Sequence, residues 1–184
     1  MNELSLYILD LAQNSVSAGA SHVEIEIVVS NEDDTISIVI RDDGCGMTEE
    51  FLQKVVSPFT TTRTTRKVGL GIPMIKELCE ACEGEFGIES APGKGTTLSL
   101  KFRLSHIDLP PMGSLADTMV ALVNGSPAKP EFLLRYQNGG EAFEFDTEQI
   151  RQILGQEVPL DTPDVLNWLR EFLREGIEEA GRLP

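Results

Sequence analysis

Residues 8–47 read ILDLAQNSVSAGASHVEIEIVVSNEDDTISIVIRDDGCGM, and this stretch decides the fold. Its first part belongs to a helix over Glu3–Ala18. Apolar residues recur at Leu4, Tyr7, Ile8, Leu11, Ala12 and Val16, close to helical spacing, and Gly19 is a ready C-terminal cap. The period then changes to two. His22–Val28 alternates, Asn31–Asp34 is a polar turn, and Thr35–Ile40 alternates again, so two paired strands follow the helix. Asp42-Asp43-Gly44-Cys45-Gly46-Met47 interrupts the sheet immediately afterwards.

Two parts of this stretch carry chemistry. Asp10 and Asn14 are four residues apart and share one helical face. Asn14 offers a side-chain carbonyl to a hard cation such as magnesium. Asp10 is a candidate base for a nucleophile beside that ion, or else a partly buried polar residue on an apolar helix. Asp42, at a strand end, is placed to accept a proton from an amino group. Gly44 and Gly46 let the backbone turn tightly against a ring.

Downstream, Thr48 N-caps a short helix with Glu49 and Glu50 in its first turn. Ser57–Val68 is a loop rich in Thr and Arg. Between Thr60 and Lys76 stand Arg63, Arg66, Lys67 and Lys76 without a single acid. In a chain of net charge −15 this local excess of cations is the best available anion site. Gly69 and Gly71 lead into a helix over Leu70–Cys82, whose first amides favour phosphate. Glu85–Ser90 is a strand, Pro92–Gly95 a turn, and Thr96–Leu104 a long alternating strand whose Thr96 hydroxyl could sit beside Asp42. The order α-β-β-α-loop-α-β-β predicts an α+β fold, a mixed, mostly antiparallel sheet with helices on one face.

Leu109-Pro110-Pro111 marks a boundary. Beyond it the pattern predicts a helix over Ser114–Val123. Strands at Phe132–Tyr136 and Glu141–Phe145 follow, joined through Asn138-Gly139-Gly140, and then helices over Thr147–Leu154 and Thr162–Ala180. Leu166, Leu169, Phe172, Leu173 and Ile177 form an apolar stripe on the last helix, read as internal core or as a dimer face. The expected organisation is an N-terminal domain over 1–106 and a small α+β C-terminal appendage over 107–184, for dimerisation or partner binding.

At 184 residues and 41% hydrophobic, the chain is long and apolar enough for a real core. Its negative charge disfavours nucleic acid and anionic membranes as partners. No run of about 18 apolar residues suggests a membrane span. An odd count of three cysteines, with no signal-peptide pattern at the N-terminus, suggests a reducing cytoplasm. Cys79-Glu80-Ala81-Cys82 has the CxxC spacing of metal or redox sites, but within a helix the spacing is usually incidental.

The motifs, taken in order, resemble the nucleotide-binding boxes of the gyrase, heat-shock chaperone, histidine kinase and MutL (GHKL) ATPase superfamily. Asp10–Asn14 resembles the N box, and Asp42–Met47 the first glycine box. Pro58-Phe59-Thr60-Thr61-Thr62-Arg63 resembles the phenylalanine box, Gly69-Leu70-Gly71 the second glycine box, and Gly93-Lys94-Gly95-Thr96-Thr97 the final glycine-threonine motif. The likeness covers residues 1 to about 104 and implies a two-layer α/β sandwich of the Bergerat type that binds ATP with Mg2+. It implies that Asp42 reads adenine with help from Thr96, that Asn14 holds magnesium, and that Gly44, Gly46 and Met47 shape the base pocket. It further implies that Phe59 anchors a lid, and that Thr62, Arg63, Arg66, Lys67, Val68, Gly69, Leu70 and Gly71 enclose the phosphates. Members usually carry Glu where this chain has Asp10, which bears on catalysis rather than binding.

Three functions fit the resemblance. The first is a stand-alone kinase-like protein, similar to histidine kinases or to the anti-sigma-factor serine kinases. It would act on or through an unidentified protein partner in trans, since no acceptor helix precedes the first motif. The second is an ATP-hydrolysing clamp of the gyrase and MutL type, disfavoured by an acidic tail with six Lys or Arg against fourteen Asp or Glu after residue 104. The third is a nucleotide-gated binding module with little turnover. Dimerisation or partner binding through the tail is compatible with any of the three.

Overall fold

A computed structural model describes residues 3–56, 71–140, 142–155 and 157–181. Its elements are α1 (Leu4–Ser17), β1 (His22–Ser30), β2 (Thr35–Asp42), α2 (Glu49–Val56), α3 (Gly71–Ala81), β3 (Glu85–Ala91) and β4 (Gly95–Arg103). They continue as α4 (Leu115–Gly125), β5 (Glu131–Asn138), β6 (Phe143–Asp146), α5 (Thr147–Leu154) and α6 (Pro163–Glu179). The six strands form one mixed sheet in the order β3-β4-β2-β1-β5-β6. Every pairing is antiparallel except β1 with β5. This is the expected α+β class.

Alternation decides the layers. Val23, Ile25, Ile27 and Val29 of β1, Ile36, Ile38 and Ile40 of β2, and Leu98, Leu100 and Phe102 of β4 all point to one buried face. Phe132, Leu134 and Tyr136 of β5 and Phe145 of β6 extend that face. Helices α1, α3, α4 and α6 cover it with Ile8, Leu11, Ile75, Met119, Leu169 and Leu173. The opposite face carries charges joined across strands. Arg41 bonds Glu26 at 3.0 Å, Arg135 bonds Glu24 at 2.7 Å, and Arg135 bonds Glu144 at 3.0 Å.

The C-terminal region is α+β as read, and its strands continue the same sheet: Ile25 stands opposite Leu134 and Ile27 opposite Tyr136. The segment joining the two halves also completes α1. That helix has no side-chain N-cap, and its first amides are taken instead by backbone carbonyls, Leu4 N–H by Pro111 O at 2.9 Å and Ser5 N–H by Met112 O at 2.8 Å. Thr118 of α4 donates to Ser5 O at 3.2 Å. At the other end, Gly19 takes the left-handed conformation (φ 72°), its N–H bonding Val16 O while Ala20 N–H bonds Ser15 O. This is the paired closure that glycine makes inexpensive after a helix.

Two readings shift. β2 runs on to Asp42, beyond the expected Ile40, which brings Asp42 into the ladder. On α6, Leu169 and Leu173 are buried. Phe172 of the expected stripe is 38% exposed and stacks on Trp168 with ring centroids 5.5 Å apart. Among the described residues no helix is long and apolar enough to cross a membrane.

Candidate nucleotide site

The sheet register brings the separated motifs together. Asp42 is the last residue of β2 and stands directly opposite Thr96 of β4, which in turn stands opposite Ser90 of β3. A cavity of about 380 Å³ opens over Asp42 and Thr96, of the size that small-molecule sites take. Asn14 and Ser15 of α1 line one wall with Leu11. Cys45, Gly46 and Met47 line another, and Phe51 and Val55 of α2 and Ile72 of α3 close it above Leu98. A larger hollow of about 760 Å³ lies between Pro111–Asp117 and α6, and no motif residue lines it.

Asp42 is held by two donors. Ser15 Oγ donates to Oδ2 at 2.7 Å and Gly44 N–H donates to Oδ1 at 2.9 Å. Each carboxylate oxygen has a second lone pair for a ligand. The loop after Asp42 is pinned at both ends, Cys45 N–H to Ala18 O of α1 at 2.9 Å and Gly93 N–H to Cys45 O at 2.8 Å. Gly46 is required here twice over. Its φ is +65°, and a side-chain carbon would overlap the Ala91 carbonyl oxygen. Beside Asp42, Asp43 does a different job, accepting Ser21 N–H at 2.6 Å and His22 N–H at 2.9 Å with the His22 ring at 3.2 Å. Partial burial pushes the Asp43 carboxyl up, but these bonds outweigh it and hold it below its ordinary value.

Asp10 lies under the first turn of α3. A side-chain carbon on Gly71 would overlap Asp10 Oδ2, so glycine at this position is what lets the carboxylate reach the helix start. Cys45 is exposed at the cavity, whereas Cys79 and Cys82 are buried. Burial pushes the Cys79 thiol up to about 12, and the Cys82 thiol upward as well.

Of the residues singled out from the sequence, Asn14, Asp42, Gly46, Met47 and Thr96 meet at this cavity, with Gly44 hydrogen-bonded to Asp42 and Asp10 against Gly71. Phe59, Thr62, Arg63, Arg66, Lys67, Val68, Gly69 and Leu70 lie outside the described residues. Two polar residues escaped the sequence reading. Ser15 bonds Asp42. Ser90 accepts Met47 N–H at 2.9 Å and contacts Gly95 O and Thr96 Oγ1, each at 2.9 Å. The one sequence signal available was position: Ser15 adjoins Asn14, and Ser90 lies one hairpin away from Thr96.

The family described as histidine kinase-, DNA gyrase B-, and HSP90-like ATPase matches residues 2–106. A putative sensor protein of Shewanella frigidimarina is 32% identical over 108 residues, which is 58% of this chain and 16% of that protein. Sporulation kinase E of Bacillus subtilis is 32% identical over 110 residues, 59% of this chain and 14% of that one. The chain thus spans about a sixth of the length of these curated relatives. Among solved structures, the Aquifex aeolicus MutL ATPase domain complexed with ADP superposes with a TM-score of 0.50 at 14% identity, covering 95% of this chain and 88% of that one. The N-terminal domain of a DNA repair protein gives a TM-score of 0.53 at 14% identity, covering 78% and 52%. At such identities these likenesses speak to the fold.

Proposed function

The chain belongs to the histidine kinase-, DNA gyrase B-, and HSP90-like ATPase family, and on that footing we propose that it binds ATP with Mg2+ in the cavity above Asp42 and Thr96 and acts as a kinase-like protein on or through a protein partner. One observation carries the reading: two motifs far apart in sequence stand face to face across β2 and β4 at the floor of that cavity, with Asn14 on its wall. In this reading Asp42 accepts from the adenine amino group, Met47, Val55, Ile72 and Leu98 enclose the ring, and Gly46 admits it. The phosphates run toward the start of α3, where Asp10 meets Gly71.

The donor set suits magnesium. Among the described residues no cluster of three His, Cys, Asp or Glu is arranged to hold a metal. Asn14 would supply one oxygen to the ion, with nucleotide phosphates and water supplying the others. The ion when bound neutralises charge on the phosphates. Asp10, one turn from Asn14, accepts the proton of an incoming hydroxyl.

The relatives named as sensor proteins and sporulation kinases support the kinase-like role. Three free cysteines support a cytoplasmic address. A second reading, an ATP-hydrolysing clamp, draws support from the fold likeness to a MutL ATPase domain over nearly the whole chain.

Calorimetry with ATP and Mg2+, followed by turnover of the pure protein and of Asp10→Asn, tests these readings. Tight binding with negligible turnover supports a kinase awaiting its protein substrate. Steady turnover that vanishes in the variant supports the clamp. Failure to bind any nucleotide overturns both.

A further inference from the structure

The hydroxyl of Ser90 has one proton and two lone pairs, and three polar neighbours compete for them. Met47 N–H is only a donor, so it takes one lone pair, at 2.9 Å. Gly95 O is only an acceptor and lies 2.9 Å away, so it takes the proton; otherwise two oxygens would face each other at that distance with no hydrogen between them. Thr96 Oγ1, also at 2.9 Å, is left with the remaining lone pair and must donate to it. This is the one arrangement that satisfies all three contacts.

The consequence falls on Thr96, which lines the cavity. With its proton committed to Ser90, Thr96 shows the cavity lone pairs alone. Asp42, opposite it in the ladder, is a carboxylate that already receives Ser15 Oγ and Gly44 N–H, and it too shows lone pairs alone. The two groups that face the base form a row of acceptors.

We infer that Ser90, out of reach of the ligand itself, is a positioning residue that fixes the polarity of Thr96, so that the row selects a 6-amino purine over a 6-oxo purine. The inference rests on the nucleotide reading of the site. At C6 an amino group brings two protons to the two acceptors, whereas a 6-oxo purine sets a carbonyl oxygen against lone pairs and keeps only its N1–H to donate. Without Ser90, the Thr96 hydroxyl is free to rotate and donate into the cavity, and the penalty against the carbonyl is relieved by about one hydrogen bond.

The experiment measures Kd for ATP and for inosine triphosphate by calorimetry in the wild type, Ser90→Ala, Ser90→Thr, Thr96→Val and the Ser90→Ala/Thr96→Val double variant, each first checked for a cooperative thermal melt. The expected result is that Ser90→Ala lowers the preference for ATP by roughly three- to tenfold, the worth of one net hydrogen bond. Ser90→Thr, which keeps the hydroxyl, retains the preference. In the Thr96→Val background Ser90→Ala leaves the preference unmoved, because no hydroxyl remains to be oriented. A Ser90→Ala protein whose two affinities fall by the same factor overturns the inference, as does a shift of equal size with and without Thr96. Ser90 would then serve only to brace Met47 and Gly95. If Ser90→Ala does not fold, loss of the preference in Ser90→Thr overturns it instead. A wild type that binds neither nucleotide is a different result, which removes the site reading beneath the inference.

Discussion

Asp42→Asn separates recognition from folding. In the fold, the Asp42 carboxylate accepts Ser15 Oγ–H at 2.7 Å and Gly44 N–H at 2.9 Å. Asparagine keeps both contacts if its carbonyl faces Gly44 and its amide nitrogen faces Ser15, whose hydroxyl rotates to accept. The exchange trades two charge-assisted bonds for neutral ones, at a cost of about 1 kcal/mol. For a chain of this size that lowers the melting temperature by roughly 2–4 °C. The ligand suffers more. A charged hydrogen bond of about 1.5–3 kcal/mol is lost, and an amide N–H opposing the ligand's amino group adds about 1–2 kcal/mol. At about 1.4 kcal/mol per decade, ATP affinity should fall roughly 60- to 4,000-fold. Calorimetry gives the affinity and a thermal melt gives the stability. Binding within about tenfold of wild type, in a protein that melts normally, would mean that Asp42 only ties the Gly44 turn to Ser15 and that the base is read elsewhere.

Three further outcomes follow from the same geometry. Deleting residues 109–184 strips β5 from β1 and removes the carbonyls that cap α1, so the truncated chain should lose its cooperative melt by circular dichroism; a melt within about 5 °C of the full chain would show that the first half stands alone. Iodoacetamide under native conditions should label Cys45 and spare Cys79 and Cys82, and Mg-ATP should slow the labelling; equal modification of all three thiols by mass spectrometry would contradict the burial. Asp43 sits below its ordinary pKa, so the stability it contributes is present above the unfolded-state value and lost as pH falls through the folded one. The gap in stability between wild type and Asp43→Asn, under about 1 kcal/mol for so exposed a group, should therefore shrink in urea titrations below about pH 4. A gap that widens there would refute the assignment.

Much of the fold was legible because burial imposes periods. The alternation in β1, β2 and β4 and the helical spacing in α1 are one-dimensional records of which side faces the core, and each of these elements formed there, with β1 and β2 each two residues longer than the period said. The motif residues were legible for a related reason. Asn14, Asp42, Gly46 and Thr96 are residue types whose chemistry or backbone freedom is unusual at those spacings. Ser15 and Ser90 carry no such mark, since a serine in a helix or near a hairpin is ordinary until its hydrogen-bond partner is known.

What the sequence by itself determined, then, is the order of helices and strands, the faces they bury, and the residue types able to hold a nucleotide. Tertiary structure alone decided the register that sets Asp42 opposite Thr96 and Thr96 opposite Ser90, and the parallel pairing of β5 with β1. It also decided the use of Pro111 and Met112 carbonyls to cap α1. The physical reason is common to all three. A period of two says which face a residue takes but not which residue it meets, and backbone donors and acceptors are identical at every position. Partners across the chain are therefore chosen only when the whole sheet and its helices pack at once.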